Sequence, residues 1–521
     1  MKSGEVSLNH SKTSLLLKIK KMFNNFQQLL FNTPVEMFET VDIPQKLFLN
    51  GEFVEPIGKE TFSVYNPKDG SVVSDKVPVA NSEDIDLAVK YATAAFKGPW
   101  SKFTAADRAR CMNKLCDILE TELVHCLSLD SLTMGSPLSI IPKRDVGYII
   151  GCFRYFSGWT DKFKGDYFPP DDGMVKIVRH EPIGVCAAVN PFNAPTATFA
   201  LKAAPCLAMG NVLIVKPSEK APFGSLAFAS LFEKAGFPNG VVQVVTGLGA
   251  TGALLASHMG IQKISFTGSV RTGKAIQKMA AESNMKRVTL ELGGKSPAII
   301  FEDANLDNAV QWAVNGIISR TGQLCVAASR VYVQESIADK FLEKYIKQMR
   351  EAAEKIGDPQ DEETLLGPLA DKIQFERVMG FIERGKKQAQ LVVGGVQRGD
   401  KGYFVEPTVF VNPQENAEIY KEEIFGPVSV VQTFKTEEEV LARANDTQYG
   451  LMGGVFTQDI QRALRISAGI QAGVVGVNCV SSMNMQVPFG GFKQSGQGRE
   501  MAEYSLRAYT EPKTILINMN Y

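Results

Sequence analysis

From about Lys46 the chain alternates short apolar runs with amphipathic stretches. LFLNGEFVE, residues 47–55, places apolar and polar positions in strand-like alternation about Asn50-Gly51 and predicts a β-hairpin. Ser82 to Phe96 predicts a helix capped by Ser82, with Asp84 and Asp86 in its first turns. Ala106 to Cys126 predicts a second, with Cys111, Leu115, Ile118 and Leu123 roughly on one face. The runs VCAAVNP, NVLIVKP and VVQVVTG are short, apolar and β-branched, each followed by a turn and a helical segment; KISFTGS and PAIIFED continue the style. A strand buried on both faces reads as an unbroken apolar run, so these predict an open parallel sheet covered on both sides by helices. A nucleotide-binding α/β fold follows.

The chain has 521 residues, enough for two to four domains. Lys+Arg and Asp+Glu balance at 56 each, so no basic excess points to nucleic acid. No run of about 18 apolar residues predicts a membrane span. The eight cysteines (Cys111, Cys116, Cys126, Cys152, Cys186, Cys206, Cys325 and Cys479) contain no CxxC pair, and the four histidines supply no metal-ligand spacing. Reduced thiols and a reducing compartment are expected, so the cytoplasm is the expected location. Residues 1–30 carry Lys2, Lys12, Lys18, Lys20 and Lys21 against Glu5 alone, the basic, acid-poor profile of a mitochondrial presequence, but contain no arginine. Two readings stay open for residues 1–44: a matrix-targeting segment, or a solvated extension upstream of a second start at Met22.

Two glycine motifs compete as a phosphate loop. Gly247-Leu-Gly249-Ala-Thr-Gly252 fits GxGxxG, but no acidic residue follows about twenty positions on, and tight turn packing is the favoured reading. Gly268 and Ser269, followed by Gly273, also join a strand to a helix; Gly268 lets a backbone approach closely and the new helix offers free N–H groups to a pyrophosphate.

The neighbouring motifs carry more weight together. Lys263–Gly273, Leu290-Glu291-Leu292-Gly293-Gly294-Lys295-Ser296 and Gly322-Gln323-Leu324-Cys325 occur in that order. Asn190-Pro191-Phe192-Asn193-Ala194-Pro195, Lys216-Pro217-Ser218-Glu219, Glu422-Glu423-Ile424-Phe425-Gly426-Pro427 and Pro488-Phe489-Gly490-Gly491 accompany them. From about residue 45 to the C-terminus the chain resembles the aldehyde dehydrogenase superfamily, in its NAD(P)-linked, acid-forming class, with most likeness to fungal members. The resemblance implies Cys325 as nucleophile, Glu291 as general base and Asn193 as oxyanion donor. Lys216 and Glu219 would meet the adenosine ribose, Gly268, Ser269 and Gly273 the pyrophosphate, and Glu423 and Phe425 the nicotinamide ribose, with Leu292 beside them. NAD is expected over NADP, because a carboxylate at Glu219 would repel a 2′-phosphate. Glu500 matches a secondary acid in some members, and a surface ion pair is the alternative.

The chemistry agrees. An aldehyde must first become a tetrahedral adduct before it can lose hydride, and a thiol gives one whose oxidised form, a thioester, hydrolyses readily. Substrate positions that are often bulky in acetaldehyde-type members are Ala194, Thr198, Leu201, Ser319 and Met483 here, with Leu324 and Phe489 completing the wall. A longer or more functionalised aldehyde is therefore expected. A CoA-acylating relative and a non-catalytic descendant are the alternatives; Glu291 argues against the first, and the joint presence of Asn193, Glu291 and Cys325 against the second. No metal is expected.

The implied architecture is an open nucleotide-binding sheet domain (45–161 and 183–293), an α/β catalytic domain (294–493) and a small β element (162–182 and 505–521). Thr514-Ile515-Leu516-Ile517-Asn518 is a β-prone chain end that would be an exposed edge if unpaired, so a homodimer or homotetramer joined through it is expected.

Overall fold

The computed structural model describes residues 43–520. The readings of the N-terminal extension, presequence and Met22 start lie outside the described residues. Pro44–Tyr521 forms one compact unit.

The hairpin forms where Asn50-Gly51 predicts it: strands β1 (Leu47–Leu49) and β2 (Glu52–Val54) flank a turn with φ of 52° at Asn50 and 86° at Gly51. Two successive positive φ angles match the right-handed twist of the strands, and Asn-Gly tolerates both. Helix α1 covers Ser82–Lys97, but its cap is Asn81 and not Ser82. The reason is reciprocal bonding: Asn81 Oδ1 accepts from the Asp84 N–H at 3.0 Å and Asp84 Oδ2 accepts from the Asn81 N–H at 3.0 Å. Helix α2, Ala105–Met134, runs beyond Cys126 until Gly135 ends it at φ 77°.

Five strands form the parallel part of the first sheet: β3 (Val185–Val189), β4 (Val212–Lys216), β5 (Val242–Val244), β6 (Lys263–Thr267) and β7 (Arg287–Glu291). Their spatial order is β7-β6-β3-β4-β5, continued antiparallel by β1 and β2, with the short strand Gly496–Gln497 added antiparallel outside β7. Only three residues of VVQVVTG pair as strand. The register places Thr267 beside Glu291, and Val189 beside both Phe266 and Lys216. All these residues therefore sit at the carboxyl edge, where ligands of open α/β sheets bind.

The second sheet contains β8 (Pro297–Ile300), β9 (Arg330–Gln334), β10 (Gln390–Val393), β11 (Thr408–Val411), β12 (Val428–Phe434), β13 (Met452–Phe456) and β14 (Val474–Val477). Its order is β10-β11-β12-β9-β8-β13-β14, parallel except for β10. Alternate residues feed two cores: Ala298, Ile300, Val331 and Val333 face one cluster, while Ile299, Phe301 and Tyr332 face another. Double-sided burial explains the unbroken apolar runs. A third sheet joins Asp166–Phe168, Met174–Pro182 and Thr510–Asn518. The C-terminal strand is thus paired along one edge within its own chain, from Thr510 against Pro182 to Asn518 against Met174.

Candidate active site

Two consecutive glycines bring the chemical groups together. Glu291 ends β7, and the chain continues through Leu292-Gly293-Gly294 into the second sheet. A β-carbon on Gly293 would overlap the Glu423 carboxylate, and one on Gly294 would overlap the Cys325 carbonyl oxygen. The Glu423 carboxylate accepts from the Gly294 N–H at 3.0 Å. Glu291, Glu423 and Cys325 thereby converge on one short crossing, which any larger residue would force apart.

Cys325 follows a tightly wound turn. A helix spans Leu306–Ile318, after which Arg320 and Thr321 take φ of 49° and 54°, and Gly322 takes 71°. Left-handed angles at two non-glycine residues need outside support. It comes from a buried ion pair, Arg320 Nη2 to Asp145 Oδ1 at 2.6 Å, and from the Thr321 hydroxyl donating to the Gly367 carbonyl at 2.9 Å. Asn193 Nδ2 donates to the Gln323 carbonyl at 2.7 Å, which fixes the amide against the same turn.

Burial first, and then the Glu423 and Glu291 carboxylates, push the Cys325 thiol up to about 12. It is protonated in the free protein at neutral pH. Glu291 is 3% exposed, and neither carboxylate oxygen has a hydrogen-bond partner among the described residues. Burial and the neighbouring Glu500 hold it well above the ordinary carboxylate range, with Lys202 and Arg499 pulling the other way. A buried carboxyl perturbed this strongly is a common mark of a functional site. Glu423 is also raised by burial, to about 7.

Lys202 escaped the sequence reading. It lies in helix α4, Pro195–Ala208, and its Nζ meets Glu500 Oε1 at 2.6 Å and Ser265 Oγ at 2.8 Å. A single lysine in the apolar run PTATFALKAAPCLA was the available signal, since a buried ammonium requires a partner. Glu500 is therefore buried and paired, and is further fixed by backbone bonds in both directions with Phe489.

Along β4's carboxyl end, Lys216 Nζ donates to the Pro217 carbonyl at 3.1 Å and stands 4.0 Å from Glu219, whose side chain is 46% exposed. Gly268 closes β6; a β-carbon there would strike the Phe266 ring. Ser269 caps the helix Val270–Glu282 by accepting from Thr272 N–H, while Gly273 packs on Leu292. The first-turn N–H groups remain for an anion. Gly247 and Gly252 serve packing: a β-carbon on Gly247 would overlap Thr251, and one on Gly252 would meet Lys216. Phe425, at φ 61°, meets Phe192 edge to face at 5.7 Å between centroids.

Ala194, Thr198 and Leu201 follow one face of the first turns of α4, and Phe489 is buried. Leu324 is half-buried beside the thiol. The Ser319 hydroxyl donates to the Asn315 carbonyl at 2.7 Å, and Ser319 lines a cavity with Arg144. Met483 is 45% exposed on a loop. Among the described residues no group of three or more His, Cys, Asp or Glu is placed to hold a metal.

Comparison with known proteins settles the family. Residues 53–515 match the model described as "Aldehyde dehydrogenase family". The chain is 44% identical over 480 residues to an aldehyde dehydrogenase of Davidiella tassiana, covering 91% of this chain and 96% of that one. It is 44% identical over 478 residues to a mitochondrial aldehyde dehydrogenase of Homo sapiens, covering 91% and 92%, and 44% over 479 residues to a cytosolic one of Elephantulus edwardii, covering 91% and 95%. The structure of an NAD+ complex of aldehyde dehydrogenase from Bacillus cereus superposes with a TM-score of 0.90 at 42% identity, over 93% of this chain and 99% of that one. With a matched sheet architecture, and a match spanning nearly the whole described fold, the chain belongs to the aldehyde dehydrogenase family.

Proposed function

We propose that the protein oxidises an aldehyde to its carboxylic acid with NAD+, through a thiohemiacetal and then a thioester on Cys325. The buried, partnerless carboxylate of Glu291 on the same crossing as Cys325 carries this reading. The thiol gives up its proton to the Glu291 carboxylate, which passes it on to solvent, as the sulfur attacks, forming the C–S bond and leaving charge on the carbonyl oxygen. Asn193 Nδ2 and the Cys325 backbone N–H are the donors for that oxygen, a contribution of about 10²–10³ in rate for each such donor. When bound, the nicotinamide supplies the acceptor for the hydride that the adduct gives up. Glu291 then takes a proton from water as its oxygen attacks the thioester; the acid leaves and the thiol is restored.

The carboxyl edge of the first sheet fits a dinucleotide. A side chain on Gly268 would press on the Phe266 ring, the helix after it opens with free N–H groups, and Lys216 and Glu219 stand together one strand beyond β3. We assign the adenosine ribose to Lys216 and Glu219, the pyrophosphate to Gly268, Ser269 and Gly273, and the nicotinamide ribose to Glu423 and Phe425, with Leu292 packed beneath. The exposed Glu219 carboxylate favours a ribose diol over a 2′-phosphate, which at 4 Å and an effective dielectric of 20 it would repel by about 4 kcal/mol. Residues 45–161 and 183–293 form the cofactor-binding part, 294–493 the catalytic part, and 162–182 with 505–521 a bridge between copies. The open edge of Thr510–Asn518, with Leu516 and Ile517 exposed, supports a homodimer or homotetramer. Eight free cysteines support a reducing compartment, the cytoplasm.

The small residues Ala194, at the start of α4, and Thr198, within it, support a substrate larger than acetaldehyde. The test is NADH formation from an aldehyde panel by the purified protein, with and without coenzyme A. Acid as product without coenzyme A is expected; a strict requirement for coenzyme A, with an acyl-CoA product, would overturn the hydrolytic reading.

A further inference from the structure

A cavity of about 410 Å³ opens beside the turn that leads to Cys325. Arg144, Asn315 and Ser319 are among its lining residues, with Lys355, Glu362 and Glu363 around it. Ser319 begins the turn that carries Arg320 and Thr321 down to Cys325, so one wall of the cavity is continuous with the nucleophile. Ser139, Ile140 and Arg144 also line it, and Arg144 belongs to the wide helical turn Pro142–Val146, which runs into helix α3, Gly147–Ser157. Tyr148, about one turn beyond Arg144, is half-buried. Burial raises its hydroxyl, and the charges of Cys152, Glu500, Asp145 and Cys325 add to the effect.

The charge around Arg144 is only partly cancelled. Asp145 lies between two guanidinium groups. Arg320 takes the close position, 2.6 Å away, with both side chains nearly fully buried. Arg144 makes only longer contacts to the same carboxylate, 3.3 and 3.4 Å, and one of 3.2 Å to Ser136 Oγ. Asp130, which shares a small void with Asp145 and Arg320, is raised by burial to about 7 and carries only part of a charge at neutral pH. One full carboxylate thus faces two permanent cations. Arg144 keeps unused donors and is 30% exposed toward the cavity side. Beside it, Asn315 Oδ1 accepts from Gln311 Nε2 at 3.2 Å, which leaves the Asn315 amide N–H groups free. Lys355, Glu362 and Glu363 are exposed and solvated, so they act more weakly than the half-buried arginine.

We propose that this cavity is the subsite for the far end of the substrate, and that the aldehyde carries a terminal carboxylate bound by Arg144 with Asn315 as a second donor. The proposal rests on the oxidation at Cys325 argued above and names its substrate class. A planar guanidinium matches a carboxylate in two-point geometry, and a charge-assisted bond of this kind corresponds to about tenfold or more in binding.

The experiment compares succinic, glutaric and adipic semialdehydes with butanal, pentanal and hexanal, with one aldehyde of matching length ending in a quaternary ammonium. At least one semialdehyde should exceed its neutral counterpart by about tenfold in kcat/KM, and the margin should shrink as salt is raised. Arg144→Gln should lower kcat/KM for that semialdehyde about tenfold more than for the neutral aldehyde, and Arg144→Lys should keep part of the margin. Equal kcat/KM for charged and neutral aldehydes in the unmodified protein would overturn the subsite while leaving the oxidation intact. So would a preference for the quaternary ammonium, which would assign recognition to Glu362 and Glu363. The same compounds titrated calorimetrically into the Cys325→Ala protein report discrimination as Kd without turnover. Failure of oxidation is thereby separated from failure of the subsite.

Discussion

Lys202 Nζ and Glu500 Oε1 form a buried ion pair at 2.6 Å, and its two charges act on Glu291 in opposite directions. Glu500 raises the Glu291 carboxyl and Lys202 lowers it, on top of the larger effect of burial. Since Glu291 must be ionised to accept a proton, deacylation should rise with pH through the shifted ionisation. Glu500→Gln should move that rising limb toward lower pH, and Lys202→Met toward higher pH. Single-turnover decay of the acyl-enzyme across pH measures both, and shifts of the same sign would refute the arrangement. The stability linkage has the sign of a raised carboxyl. The folded protein holds the Glu291 proton more tightly than the unfolded chain, so this group's contribution is present at low pH. It is lost as pH rises from the ordinary carboxylate value toward the folded one.

Breaking the pair should also cost stability. Lys202→Met leaves the Glu500 carboxylate buried without its cation, a change expected to cost about 3–5 kcal/mol. Urea unfolding of Lys202→Met beside the double variant Lys202→Met/Glu500→Gln checks this, because the second substitution should restore part of the loss.

Cys325→Ala should remove turnover while leaving cofactor affinity nearly unchanged, as expected when only the nucleophile is lost. Glu291→Gln should still acylate, the thiol proton passing directly to solvent, but hydrolyse the thioester slowly, giving an early burst of NADH and then little further product. Stopped-flow absorbance separates the phases, and full steady-state activity in either variant would free that residue from its role.

Gly294→Ala probes the crossing that brings the groups together. Its β-carbon would overlap the Cys325 carbonyl, so either Glu291 or the nucleophile turn must move. A stability loss of about 1–3 kcal/mol is expected, as for other overpacked sites. The fall in kcat should be larger than that seen for Gly249→Ala, where a β-carbon meets nothing within 4 Å. Parallel melting curves and steady-state kinetics decide it.

Glu219→Gln should narrow the preference for NAD over NADP, which we expect at one to three orders of magnitude in kcat/KM, about tenfold for each 1.4 kcal/mol. An unmodified protein that uses NADP as well as NAD would show that the Glu219 side chain does not face the ribose.

Light scattering should report a dimer or tetramer. Ile517→Lys, on the open edge of the small sheet, should weaken it by placing a charge where a second copy would pair. A fully active monomer would exclude that edge as an interface.

Much of the architecture was legible because local physics dictates it. Asn50-Gly51 specifies its turn through two positive φ angles, and unbroken apolar strands such as VLIVK announce a sheet covered on both faces. The ordered motifs around Asn193, Glu291 and Cys325 likewise marked a candidate site, since their chemistry belongs to residue type. Where the chain had to choose between neighbours, the sequence was less decisive. Asn81 displaced Ser82 as the cap of α1 because its bonds with Asp84 close in both directions. Other features are decided only by tertiary contact. Lys202 and Glu500 are 298 positions apart, and Arg320 and Asp145 are 175 apart. No local pattern states that such charges will share one buried space, because burial and pairing arise only when the two sheets and their helices close over them.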